Sequence, residues 1–233
     1  RSGTVRELTE KSSLSSPRSV ERLRRHDTLT SSNKGRSNLT AVDTSGRKLR
    51  YNSPISRQDP LVNDWRKRIS GSHTPPSHQE QLLILLPCSA TKPYRLSQSH
   101  HRFLRNIPSN RAHQIMVTSP LGLVPRELED LWPAAHYDIP VTGDWDADEL
   151  EMVSSMLSKI CERANYSEII NHSGMDISID GIECYNTRRG TAGSKESLKE
   201  LKSCILDSID RMNLGDKSEK QHRMEVMKSR SRF

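Results

Sequence analysis

The chain has 233 residues and a net charge of +7, and only 32% of its residues are hydrophobic and 4% aromatic. That length suffices for one domain with a sizeable core, but the composition is too polar for a chain packed from end to end. No apolar run approaches the roughly eighteen residues that cross a bilayer, and no charged-then-apolar leader opens the sequence, so a soluble, cytoplasmic protein without membrane partners is expected.

The charge is uneven. Residues 1–78 hold 16 Lys/Arg against 7 Asp/Glu, residues 79–215 hold 14 against 19, and the last eighteen hold 6 against 3. Basic flanks of this kind either neutralise phosphates of a nucleic acid or stand as solvated arms. Cys88, Cys161, Cys184 and Cys204 form no CxxC pair. Free thiols are therefore expected, and neither a zinc ribbon nor any other metal site. The first residue is Arg, and "MKSRSRF" offers no closing element, so the sequence reads as a segment of a longer polypeptide.

In chain order, the Ser- and Arg-rich residues 1–69 are expected to be partly disordered. They carry short helical pieces at Val5 to Lys11 and after Pro17, both needing another surface to pack on. A short strand and a helix starting after Pro60 follow, then a linker over 70–79. From Gln81 the character changes: "QLLILL" is a continuous apolar run, the mark of a strand buried on both faces. "SQSHHRFLRNI" is a helix with Ser97 as N-cap, "AHQIMVTSP" a second strand, "PRELEDLW" a short helix with Pro125 in its first turn, and "HYDIPV" a third strand. "DADELEMVSSMLSKICERAN" is an amphipathic helix capped by Asp146, "YSEIINHS" and "GIECYNT" are further strands, and Ser194 caps a final helix. The alternation predicts an α/β fold over residues 80–213, a three-layer domain with a mostly parallel sheet, with 214–233 a linker or the start of another domain.

In such a sheet ligands bind off the carboxyl ends of the strands. "PCSATKPY", "TSPLGLVPRELE" and "PVTGDW" should then meet on one rim. Cys88 reads either as a nucleophile whose thiolate Lys92 favours or as a small hydrophobe closing the strand. Lys92 fits an anion contact or the surface, and Tyr94 a turn with an aromatic anchor. His100 and His101 fit acid/base work or a plain helix surface. Thr118, Ser119 and Gly122 offer backbone N–H groups to an anion; Glu127 and Glu129 suit a ligand amine or a helix start; Asp138 and Asp144 are candidate acceptors. His172 faces the same rim and reads equally as structural. The glycine fingerprints of dinucleotide and P-loop folds are missing, so no nucleotide cofactor is implied.

The whole spacing of "PCSATKPYRLSQSH", namely PC, three residues, KPY, two residues, Ser, two residues and His, resembles the signature of the archaeosine synthase family, archaeal relatives of tRNA-guanine transglycosylase. "VTSPLGLVPRELEDLWPAAHYDIPVTGDW" resembles that family's next block, and residues 1–69 resemble, more loosely, the tail of its transglycosylase-like domain. The resemblance implies a core similar in fold to uracil-DNA glycosylases. It implies an enzyme that adds free lysine to the nitrile of 7-cyano-7-deazaguanine in the D-arm of tRNA, forming an amidine, with a radical S-adenosylmethionine partner enzyme acting next. Under it Cys88, Lys92, Tyr94 and His100 become catalytic candidates, and Ser97, Ser119, Gly122, Arg126, Glu127, Asp138 and Asp144 substrate-binding ones, with Glu127 and Arg126 taking the two ends of lysine and no cofactor in this segment. A non-catalytic tRNA-binding module, a transglycosylase fragment and a glycosylase are the competing readings.

Overall fold

The computed structural model describes residues 5–31, 48–51, 53–139 and 145–233. Its centre is a five-stranded sheet in the order β4-β3-β2-β6-β7. β2 (Leu82–Pro87) runs parallel to β3 (Ala112–Thr118) on one side and to β6 (Glu168–Asn171) on the other, and β6 runs parallel to β7 (Glu183–Asn186). β4 (Gly122–Pro125) returns antiparallel along β3. Leu82, Leu83, Ile84, Leu85 and Leu86 are all wholly excluded from water. Successive strand residues point to opposite faces, so both faces of β2 are covered and the domain has three layers, as the sequence predicted.

The helices follow their capping signals. Ser97 accepts the His100 N–H at the start of α4 (Gln98–Arg105), and Asp146 and Glu149 form a reciprocal capping box at the start of α5 (Ala147–Arg163). Ser194 caps α6 (Lys195–Arg211). Three parts of the expected order differ. The helix predicted after Pro125 is one 3-10 turn, Arg126–Leu128, because the preceding "GLVP" is spent on β4. The third strand, β5 (Tyr137–Asp138), does not join the main sheet; it pairs with β1 (Leu49–Arg50) in a separate two-stranded one. A helix that the sequence did not suggest, α7 (Glu219–Arg232), closes the described chain, with Ser218 and Gln221 forming its capping box.

In the basic N-terminal segment, expected to be poorly ordered, the described residues form α1 (Val5–Ser13) and α2 (Pro17–Ser31). The surface they need is α3 (Pro60–Gly71), and a buried cation joins all three. Arg6 Nε donates to Glu10 at 2.7 Å, its Nη2 donates to Asp27 at 2.8 Å, and Asp59, the N-cap of α3, lies 3.9 Å away. α3 also carries Val62, Trp65 and Ile69, at one-turn spacing and buried, and Trp65 Nε1 donates to the Leu123 carbonyl in β4 at 3.0 Å. Residues 72–79, predicted as a linker, hold buried His73, His78 and Gln79 and are packed rather than solvated.

Replacing Trp65 by Ala removes a large buried ring and orphans the Leu123 carbonyl. A loss of about 3–5 kcal/mol in urea unfolding is expected. A loss under about 1 kcal/mol would mean that α3 is not integral to the α/β unit.

Candidate active site

β2 ends at Pro87, and the chain turns out of the sheet directly into Cys88. Thr118 ends the neighbouring β3 beside it. The Thr118 hydroxyl acts on the Cys88 thiol in the direction that favours the thiolate, and Thr118 Oγ1 lies 2.6 Å from the Tyr137 hydroxyl, which lies 2.5 Å from the Tyr94 hydroxyl. Thr118 spends its one proton on the Ser119 carbonyl at 3.1 Å. It therefore accepts from Tyr137, and Tyr137 from Tyr94. Cys88 sits at the end of a buried line of hydroxyls that can reverse: if the thiol ionises, Thr118 turns its proton toward sulfur.

Lys92 completes the cluster. It is 7% exposed, its ammonium stands 4.2 Å above the Tyr137 ring, and Nζ has no hydrogen-bond partner among the described residues. Burial lowers its pKa, while attraction to Cys88 and Asp138 offsets part of that shift. Burial likewise pushes the Cys88 thiol up, and the Lys92 charge and the Thr118 hydroxyl offset this only in part. The resting pair is a neutral thiol beside an underused cation. A polarised bond entering between them would meet a nucleophile at its electron-poor atom and a proton donor at its electron-rich one.

His100 lies under this cluster, its ring 5.2 Å from that of Tyr94, and is fully buried. Its Nδ1 accepts from Arg126 Nη2 at 2.9 Å, which places the proton of the neutral ring on Nε2. Burial first, and the Arg126 guanidinium second, push its pKa down to about 3. It is a neutral supporting group, not an accessible acid.

The other predicted residues are dispersed. Ser97 is occupied as the α4 cap, and Ser119 donates to Glu149. Gly122 has φ +79, and a Cβ there would meet the sulfurs of Met156 and Met152 on α5, so its role is packing. Because β4 runs backwards, Arg126 and Glu127 are carried away from the rim: Arg126 binds Gln114 and Glu129 at 3.1 Å each, and Glu127 lies against His113 and His73. Glu129 also takes the Arg95 N–H. Asp138 is exposed in β5 on the Lys92 side, and His101 is exposed. His172 spans Thr187 and the Ala192 carbonyl at 2.8 Å each, the structural reading. Asp144, with the rest of the third predicted loop up to Gly143, lies outside the described residues.

Thr118 was read for its backbone only, and Tyr137 was not singled out; an aromatic residue with a hydroxyl in a short polar-flanked strand was the available signal. A groove of about 510 Å³ between α1 and α2 is lined by Leu8, Leu23 and His26, and no residue of the Cys88 cluster lines it. Among the described residues no helix is long and apolar enough to cross a membrane.

Two outcomes follow from this electrostatics. Alkylation of Cys88 by iodoacetamide, followed by mass spectrometry, is expected to rise with pH through a midpoint above the ordinary thiol value of about 8.5. Lys92→Met should move that midpoint higher still; a midpoint below neutrality, or one indifferent to Lys92→Met, would contradict the geometry. For His100, an unfolded imidazole takes a proton near pH ~6.5 and the folded one only near 3, so between these values the unfolded state binds more protons. Stability is complete above about pH 6.5 and falls with acid, and His100→Gln should flatten the urea-unfolding profile there by up to about 1.4 kcal/mol per pH unit.

Known proteins match this region. Residues 62–205 match the family model described as a domain of unknown function, DUF5591. The archaeosine synthase subunit alpha of Methanosarcina acetivorans is 38% identical over 174 residues, covering 65% of this chain and 28% of that protein. The archaeosine synthase of Haloferax volcanii is 52% identical over 90 residues, covering 39% of this chain and 15% of that one. A tRNA-guanine(15) transglycosylase of Methanobrevibacter smithii is 27% identical over 131 residues, covering 52% and 19%. The chain thus spans less than a third of the length of each of these relatives, and the resemblance carried by the Cys88 to His100 motif is borne out. With the family model covering α3 through most of α6, the chain belongs to the DUF5591 family.

Proposed function

We propose that this chain carries the amidine-forming centre of a tRNA-modifying enzyme of archaeosine synthesis, joining lysine to the nitrile of 7-cyano-7-deazaguanine in tRNA. The observation that carries the proposal is the Cys88 thiol at the end of β2 with the buried Lys92 ammonium acting on it, an ammonium that has no hydrogen-bond partner among the described residues. The similarity to proteins named archaeosine synthase supports the substrate, and the exposed Arg18, Arg22, Arg24 and Arg25 of α2 offer charge for a phosphate backbone.

A nitrile carbon is a modest electrophile, and its nitrogen gathers negative charge under attack. In the proposed sequence the Cys88 sulfur adds to the nitrile carbon while Lys92 protonates the nitrogen and takes up the thiol proton in exchange, giving a thioimidate and leaving Lys92 an ammonium. The lysine amine then adds to the same carbon and expels the Cys88 thiolate, which regains a proton. The sum is nitrile plus amine giving amidine, with no water, oxidant or metal consumed. Splitting one hard addition into two is the usual gain from a covalent nucleophile. The lowered pKa of Lys92 makes it the better acid, and the hydroxyl line lets Thr118 turn to the sulfur as charge develops. The ammonium and carboxylate of the incoming lysine require partners other than Glu127 and Arg126, which are committed to internal networks. Asp138, exposed beside Lys92, is the remaining carboxylate of the predicted set for the amine end. A radical S-adenosylmethionine enzyme cleaving the adduct belongs to this reading as its following step.

The test is lysine incorporation into nitrile-bearing tRNA by the wild-type protein and by Cys88→Ala, Cys88→Ser and Lys92→Ala. Both cysteine variants should lose at least about 10³-fold in rate, and Lys92→Ala about 10²- to 10⁴-fold. Wild-type rates in both cysteine variants would leave direct attack by lysine, with Cys88 a wall of the pocket. Binding of tRNA without incorporation by the wild type would favour the non-catalytic module.

A further inference from the structure

At the other end of β3 lies a second cluster that the proposed reaction does not use. His113 is the second residue of β3, about 13 Å along the strand from Val117 beside Pro87. Its Nε2 is 3.1 Å from Glu127 Oε1, and His73 Nε2 is 3.2 Å from the same oxygen. The ligand atoms of the three residues lie within 4.8 Å of one another, and all three side chains are buried.

We propose that His73, His113 and Glu127 form a binding site for a divalent transition-metal ion, with Zn²⁺ the best match. Three features support this, and none depends on the reaction proposed above. First, ligands about 2.0–2.1 Å from a tetrahedral zinc sit roughly 3.3 Å apart, close to the 3.1 and 3.2 Å observed. Second, His73 lies against the carboxylate, yet among the described residues neither of its ring nitrogens makes a hydrogen bond of acceptable geometry, although the side chain is wholly buried. A buried imidazole so placed can offer a ring nitrogen to a ligand without giving up an existing hydrogen bond. Third, the remaining nitrogen of His113 is already held, with Nδ1 2.5 Å from the Tyr166 hydroxyl. That outer contact fixes the ring and leaves Nε2 free to ligate, the arrangement metal-bound histidines favour.

The surroundings also suit a closed site. Ser229 Oγ from α7 lies 3.4 Å from Glu127 Oε1 while donating to the Thr74 carbonyl at 2.8 Å, and the Phe233 ring stands 6.2 Å from His73. Arg163 holds the loop bearing His73 by donating to the carbonyls of Ile69 and His73. Two neutral imidazoles and one carboxylate leave a bound dication with one net positive charge. Ser229 or a water supplies the fourth position. The ion would fasten α3, β3, the β4 end and α7 together, a structural clamp at the end of the sheet away from Cys88.

The test is metal uptake by the purified protein after stripping with a chelator. One equivalent of Zn²⁺ is expected by elemental analysis, with a rise in Tm on addition of the metal. Co²⁺ should give visible d–d bands without the near-ultraviolet thiolate-to-metal band, which separates this site from one built on the four cysteines. Glu127→Gln should abolish uptake, and Tyr166→Phe, which spares all three ligands, should weaken it about 10- to 100-fold. Absence of stoichiometric uptake by wild type, a thiolate band with Co²⁺, or affinity unchanged in Tyr166→Phe would each overturn the proposal, and the last two hold even where Glu127→Gln fails to fold.

Discussion

Everything near Cys88 depends on β2 being sealed on both faces. Five successive aliphatic side chains, Leu82 to Leu86, are removed from water between β3 and β6, a burial worth roughly 1.5–3 kcal/mol per side chain before the entropy of ordering is subtracted. A strand so placed cannot slip, since a shift by one residue would bring Gln81 or Pro87 into the core. The register then fixes where the chain leaves the sheet. Pro87 pairs with Val117, so Cys88 and Thr118 emerge side by side. The nearness of the Cys88 sulfur to the Thr118 hydroxyl follows from strand pairing rather than from any device of the loop.

The second consequence is electrostatic. A lysine five residues beyond a buried strand has a short tether, and here it folds back over Tyr137 instead of reaching solvent. Burying an ammonium with no hydrogen-bonding partner among the described residues costs stability. The ring face of Tyr137 and the carboxylate of Asp138 supply partial compensation. The same tyrosine links Lys92 to Thr118 and Tyr94, so one residue of a two-residue strand touches three polar groups of the centre.

Much of this was readable from residues in order. The apolar run of β2, the caps Ser97, Asp146 and Ser194, and the place of Cys88 and Lys92 at a strand's carboxyl end are local signals, because a buried strand and a capped helix each write themselves into neighbouring positions. What was not readable depends on pairing between distant segments. β5 looks like a sheet strand until its partner proves to be β1. "GLVPRE" looks like a helix start until β4 folds back on β3 and carries Arg126 to Gln114 and Glu127 to His113, which turns two expected ligand contacts into internal ones. His73 gave no signal at all, since composition marked its neighbourhood as a linker.

The central claim is that the Cys88 sulfur becomes covalently bound to the nitrile carbon. Its most direct test is acid-quenched mass spectrometry of the protein incubated with tRNA carrying the nitrile base and no lysine, followed by nuclease digestion. The account predicts an adduct on the Cys88 peptide whose mass is the simple sum of cysteine and the nitrile-bearing nucleotide remnant, with nothing lost, and its disappearance on adding lysine. Full turnover by a protein that never shows this adduct, and that keeps its rate when Cys88 is Ala, would contradict it.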